Sequence, residues 1–187
     1  SSNSDKAVIL LHMLGRTKED WKNFTDALVK ENYNVISLDF RGHGESDGDL
    51  SKFSGKDYNK MVFDVKAAKE YLTSNKKTRI TIIGASIGAN IALNYASQDN
   101  EIKAIILLSP GLNYRDVQTE KTIREYKNKI LIVASEDDKY SLESSKKLNS
   151  LNKNSELKIY KDAGHGTNMF LETDLEKTLL AWLKKNF

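Results

Sequence analysis

The chain has 187 residues, enough for one domain with a sizeable core and too few for two comfortable ones. Its 29 basic and 26 acidic side chains leave a net charge of +3, and the lysines are spread without a basic block, which argues against a dedicated nucleic-acid surface. The absence of cysteine excludes disulfides and thiolate metal sites, and no apolar run approaches membrane-spanning length.

Residues 1–6 form a polar N-terminal extension without an initiator methionine, as in a processed or trimmed product; the compartment stays open. Residues 7–187 read as a single domain. Residues 7–12 are a short continuous apolar run, the pattern of a strand buried on both faces. A loop over 13–16 leads to Thr17 and Asp20, a helix start signal, and Trp21, Phe24 and Leu28 then share one helical face. Residues 34–39 predict a second strand, followed by a glycine-rich loop over 40–48. From about 57 to 73, Tyr58, Met61, Val62, Val65, Lys69 and Leu72 keep helical spacing. The apolar run 79–83 is a third strand and feeds Gly84-Ala85-Ser86-Ile87-Gly88, with a small and apolar helical segment behind it.

Residues 102–108 predict a fourth strand, closed by Ser109-Pro110-Gly111. Residues 112–128 are polar and weakly periodic, a loop and helix too short for a cap domain. Strand 130–134 runs into Ser135-Glu136-Asp137-Asp138. A helix over 141–151 precedes a sixth strand at 157–160 and a loop over 161–166. A last helix places Leu171, Leu175, Leu179 and Trp182 on one face. Strands alternating with helices predict an α/β fold: a three-layer sandwich with a mostly parallel sheet of about six strands and helices on both faces.

A serine at the apex of a tight strand-to-helix turn, with glycine two residues to either side, is the nucleophile-elbow pattern. The glycines clear space where helix and strand pass close, and the helix N-terminus aims free N–H groups beside the serine. Three fixed positions are a weak signal alone. The topology strengthens it, because parallel strands gather the 13–15 loop, Ser86, the acidic cluster ending at Asp138, and His165 on one sheet edge. Their chain order is Ser, Asp, His.

With these motifs the sequence resembles the α/β-hydrolase superfamily, in its lidless serine esterase and lipase-like branch, over nearly its whole length. The matching pieces are Leu11-His12-Met13-Leu14-Gly15, the run from Asp39 to Ser46, the elbow, Ser135-Glu136-Asp137-Asp138 and Gly164-His165-Gly166. The resemblance implies Ser86 as nucleophile, His165 as general base, and Asp138 as its carboxylate, with Asp137 the alternative. It implies backbone oxyanion donors at Leu14 and Ile87 and no metal or organic cofactor. Met13 stands where the family usually has glycine. Met13, Tyr114 and Met169 are substrate-binding candidates, with Arg115 also near the rim. The two leading antiparallel strands of the family are not matched.

His12 and His43 read as structural histidines, and Asp39 and Arg41 as fixing their turn by hydrogen bonds or an ion pair. The expected activity is cleavage of small or short-acyl carboxylic esters through an acyl-enzyme. A thioesterase, a dienelactone-type hydrolase or a peptidase uses the same triad, and a non-catalytic binding protein is the reading from another class. The implied partner is a small ester-type substrate; the oligomeric state stays open.

Overall fold

The computed structural model describes residues 4–187. The main sheet comprises β1 (Lys6–Leu11), β2 (Asn34–Leu38), β3 (Arg79–Ala85), β4 (Ala104–Leu108), β7 (Lys129–Ser135) and β8 (Ser155–Tyr160). Their spatial order is β2-β1-β3-β4-β7-β8, and every neighbouring pair is parallel. The antiparallel pair β5 (Asn113–Tyr114) and β6 (Val117–Gln118) stands apart from it. Residues 1–3 of the polar extension lie outside the described residues, and Lys6 already belongs to β1.

Alternation along each strand divides the core into two layers. Ile9, Leu11, Ile82, Ile105 and Ile132 face one side, together with Val65 of α3 (Val62–Ser74), Ile91 of α4 (Ile87–Ala96) and Leu148 of α6 (Lys139–Leu151). Val8, Leu10, Ile83, Ile106 and Val133 face the other. There they meet Phe24 and Leu28 of α1 (Lys22–Lys30) and Leu179 and Trp182 of α7 (Leu175–Asn186). Burial on both faces explains why these strands read as unbroken apolar runs.

The single helix expected from about 57 to 73 is two, α2 (Gly55–Asn59) and α3. A Ser54–Asp57 capping box starts the first. The step between them carries three-residue hydrogen bonds, Met61 N–H to Tyr58 and Asp64 N–H to Met61, which tighten the backbone while Tyr58, Met61 and Val65 stay buried. Residues 112–128 hold α5 (Glu120–Glu125), the helix expected there, and the β5–β6 hairpin, which the polar, weakly periodic sequence did not reveal. Leu171 departs from the expected helical stripe. It is 80% exposed and lies between a short 3₁₀ turn, Gly166–Phe170, and α7. The helix begins only at Leu175, whose N–H donates to the Thr173 hydroxyl. Among the described residues no helix is long and apolar enough to cross a membrane.

Candidate active site

Ser86 joins β3 directly to α4, with its backbone in a left-handed conformation at φ 56° and ψ −123°. Its N–H still bonds Leu108 O at 2.8 Å, so the sheet ladder grips the turn. The tightness depends on both flanking glycines. A Cβ on Gly84 would lie 2.2 Å from Gly88 O, and one on Gly88 would lie 2.5 Å from Leu11 O. Ser86 is 7% exposed at the start of the helix.

The two expected oxyanion donors are backbone N–H groups. Ile87 N–H opens α4, where no intrahelical acceptor exists. Leu14 N–H is aimed indirectly by His12. The His12 ring is fully buried; its Nδ1–H donates to Met13 O at 2.7 Å, and its Nε2 accepts from Phe40 N–H at 3.0 Å. Arg16 N–H also bonds Met13 O, at 3.2 Å. In a trans peptide the N–H points opposite its C=O, so holding Met13 O turns the Leu14 N–H away from His12. Burial holds the His12 pKa below the ordinary imidazole value, in keeping with a neutral ring that accepts at Nε2.

His165 Nδ1–H donates to Asp138 Oδ2 at 2.5 Å. Asp138 also caps α6, its Oδ1 accepting from Ser141 N–H at 3.4 Å. Asp137 turns elsewhere. It accepts from the Ser135 hydroxyl and, at 3.2 Å, from Gly164 N–H. The Ser135 hydrogen bond, against burial and with help from Gly164 N–H, holds the Asp137 carboxyl below its usual range. Ser135 Oγ accepts from Ala163 N–H at 2.8 Å, and Ser109 Oγ from Gly166 N–H at 2.9 Å. The His165 loop is therefore fastened at three backbone N–H groups, to the ends of β7 and β4. Ser109 and Ser135 carried no signal in the sequence beyond closing a strand.

The Tyr114 ring lies over Gly111, where a Cβ would come within 2.7 Å of it. Its hydroxyl points inward, 2.8 Å from Ser141 Oγ and 3.3 Å from Ser109 O, and its ring meets His165 edge-on at 6.3 Å. Burial pushes the phenol pKa up to about 12, against the lowering effect of the Ser141 hydrogen bond. Met13 is 6% exposed and packs beneath Gly166, whose added Cβ would meet its Sδ at 2.3 Å. Met169 requires a correction. It is fully buried in the layer with Trp21, Phe24 and Leu175, and so offers no surface to a substrate. Its place in the 3₁₀ turn after His165 points it into the core.

Asp39 accepts from Lys18 N–H at 2.7 Å, Lys18 Nζ at 2.9 Å and Glu45 N–H at 3.1 Å, fixing the glycine-rich loop. Arg41 pairs with Asp64 of α3 at 2.6 Å. The His43 ring is buried, and its Nδ1–H donates to Arg41 O at 3.1 Å. A groove of about 590 Å³ lies between β2 and α3, lined by Ile36, Leu38, Arg41, Asp64, Ala68 and Tyr71; Ser86, Asp138 and His165 do not line it. Among the described residues no group of three or more His, Asp or Glu gathers as a metal site.

Residues 2–127 match the family model for serine aminopeptidase, S33. Among solved structures, Est1E of Butyrivibrio proteoclasticus with bound ferulic acid superposes at a TM-score of 0.85, with 19% identity, over 98% of this chain and 91% of that one. The Pyrococcus furiosus esterase Pf2001 superposes at 0.81 with 24% identity, over 100% and 83%. Among curated sequences, an uncharacterised Mycobacterium bovis protein is 29% identical over 117 residues, 62% of this chain. That match spans 32% of the mycobacterial protein, so the chain covers about a third of its relative.

Proposed function

The chain belongs to the serine aminopeptidase S33 family of α/β-hydrolases, and on that premise we propose that it is a serine hydrolase cleaving small carboxylic esters. The observation that carries this reading is the 2.5 Å contact between His165 Nδ1 and Asp138, on the sheet edge where Ser86 stands in its left-handed turn. Ser86 Oγ attacks the ester carbonyl as His165 Nε2 takes its proton. Asp138 keeps the proton of the other ring nitrogen in place and stabilises the imidazolium. The oxyanion is met by the Ile87 and Leu14 N–H groups, each worth about a hundred- to a thousandfold in rate. His165 then protonates the departing alkoxide, leaving an acyl-Ser86. Water, activated by the same imidazole, releases the acid.

A small substrate suits the rim. Met13 is almost covered and Tyr114 turns its hydroxyl inward, so little apolar wall is offered to a long acyl chain. The test is turnover of p-nitrophenyl acetate together with labelling by a fluorophosphonate. The expected result is a labelled peptide containing Ser86, with turnover abolished in Ser86→Ala while the fold persists. Retained turnover in that variant overturns the assignment. A wild-type chain that neither turns over nor labels is the binding protein of the rival reading. A panel of ester, thioester, lactone and amide substrates then chooses within the class, the amide arm testing the peptidase activity in the family's name.

A further inference from the structure

Asp138 alone leaves the His165 ring one hinge. A single hydrogen bond at Nδ1 fixes that nitrogen but lets the ring tilt about the bond. A second group occupies the same side. Ser141 Oγ lies 3.4 Å from His165 Nδ1 and 2.8 Å from the Tyr114 hydroxyl, and Ser141 is fully buried. Tyr114 is itself held firmly. Tyr140 exchanges hydrogen bonds with the backbone of Asn113, and Asn90 of α4 ties both Gly111 N–H and Val117 O, at 3.0 and 2.8 Å.

The donor count gives the chain a direction. A carboxylate only accepts, so Nδ1 carries the proton toward Asp138 and Ser141 Oγ receives its secondary lean. The Ser141 hydroxyl is then free to donate to Tyr114, whose own proton ends on Ser109 O and whose oxygen also meets the Ser86 hydroxyl. Every hydrogen in the run finds an acceptor, and the last acceptor is a backbone carbonyl at the end of β4. We propose that Ser141 and Tyr114 are positioning residues, whose paired hydroxyls form a second brace on the His165 imidazole and hold its Nε2 toward Ser86. This rests on the serine-hydrolase reading for its kinetic consequence, though the brace itself does not.

The experiment compares Ser141→Ala, Tyr114→Phe and the double variant. Tyr114→Phe removes one oxygen and leaves the ring over Gly111, so it remains informative should Ser141→Ala fail to fold. The first readout is the downfield proton resonance of His165 Nδ1–H, identified by its loss in His165→Gln. It is expected to broaden through faster solvent exchange in each single variant. The second is kinetics on acetyl and butyryl p-nitrophenyl esters. We expect kcat to fall about fivefold for both esters in each single variant, with KM unchanged, and the double variant to lose no more than either single one. Losses that multiply, a rise in KM with kcat intact, or an unchanged Nδ1–H resonance each overturn the brace. If the wild-type chain turns over no ester and takes no fluorophosphonate, the serine-hydrolase reading fails, and the resonance still decides the brace.

Discussion

His12 offers a test of how the proposed oxyanion loop is held, because its two ring nitrogens can be replaced one at a time. Asparagine places an amide N–H near the Nδ1 position and keeps the bond to Met13 O, while leaving the buried Phe40 N–H without its acceptor. Glutamine reaches toward Phe40 N–H and releases Met13 O. An orphaned buried donor costs about 1–3 kcal/mol, so His12→Asn should lose about 2 kcal/mol at pH 7.5. The gap should close in acid. The folded His12 pKa lies below its ordinary value because burial penalises the cation. As pH falls past about 6.5 the unfolded chain binds a proton that the folded chain does not, so wild-type stability drops at up to about 1.4 kcal/mol per pH unit. This contribution is complete above the unfolded value and lost as pH falls toward the folded one. His12→Asn has no such proton to bind, so urea unfolding curves at pH 5 and 7.5 should show the two proteins converging in acid. A gap that stays constant refutes the neutral, buried imidazole. In activity the order reverses: His12→Gln should fall about ten- to a hundredfold as the Leu14 N–H loses its aim, and His12→Asn much less. Equal losses would refute the clamp on Met13 O.

The elbow glycines make a steric prediction. Gly84→Ala sets a Cβ 2.2 Å from Gly88 O, backbone against backbone, and should destabilise by about 3 kcal/mol or more in urea unfolding. Gly15→Ala, at φ +69° with open space around it, should lose only about 1 kcal/mol; similar losses would refute the packing account. The two neighbouring aspartates should separate by role. Asp138→Asn is expected to lower kcat about a thousandfold or more with the fold intact, whereas Asp137→Asn, which loosens Gly164 and Ser135, should change kcat by less than about tenfold at saturating ester. A larger kcat loss in Asp137→Asn than in Asp138→Asn would reverse the assignment.

The parallel sheet was readable because its central strands are buried on both faces and so appear as apolar runs that little else produces. The elements that escaped lack such a signature. β5 and β6 are two residues each, and the turn between them puts Arg115 and Asp116 at φ 52° and 66°, positions where glycine or asparagine would have announced a hairpin. The break between α2 and α3 is silent because Tyr58, Met61 and Val65 keep facing the core across it. Arg41 finds Asp64 twenty-three positions away, a partner that only the packing of α3 supplies. Adjacent aspartates are alike in sequence; in space the Ser135 hydroxyl and Gly164 N–H capture Asp137, and Asp138 is left to face the imidazole. Met169 failed as a surface residue for a related reason, since the turn after His165 is 3₁₀ and rotates its fourth residue inward.

The strand ends show how such a site holds strain. Ser86 and Ser109 follow adjacent strands, and both adopt positive φ, 56° and 48°, without being glycine. Each such residue costs on the order of 1–3 kcal/mol and persists only where its surroundings over-determine it. Both retain one sheet bond beyond their strand, Ser86 N–H to Leu108 O and Ser109 N–H to Val133 O, each at 2.8 Å. The next step of the sheet repeats the device, with Glu136 N–H bonding Tyr160 O at 2.9 Å. The ladder therefore runs one residue past β3, β4 and β7, each time into a neighbour to the right in the sheet order. That extra bond carries each chain end out of the strand at a set height. Ser86, Ser109 and the loop to Asp138 leave the sheet on one edge, where the Ser109 hydroxyl takes Gly166 N–H and its carbonyl takes the Tyr114 phenol. Strain in the turns and rigidity in the ladder are two consequences of the same geometry: a backbone that were free to relax at Ser109 would also release the loop carrying His165.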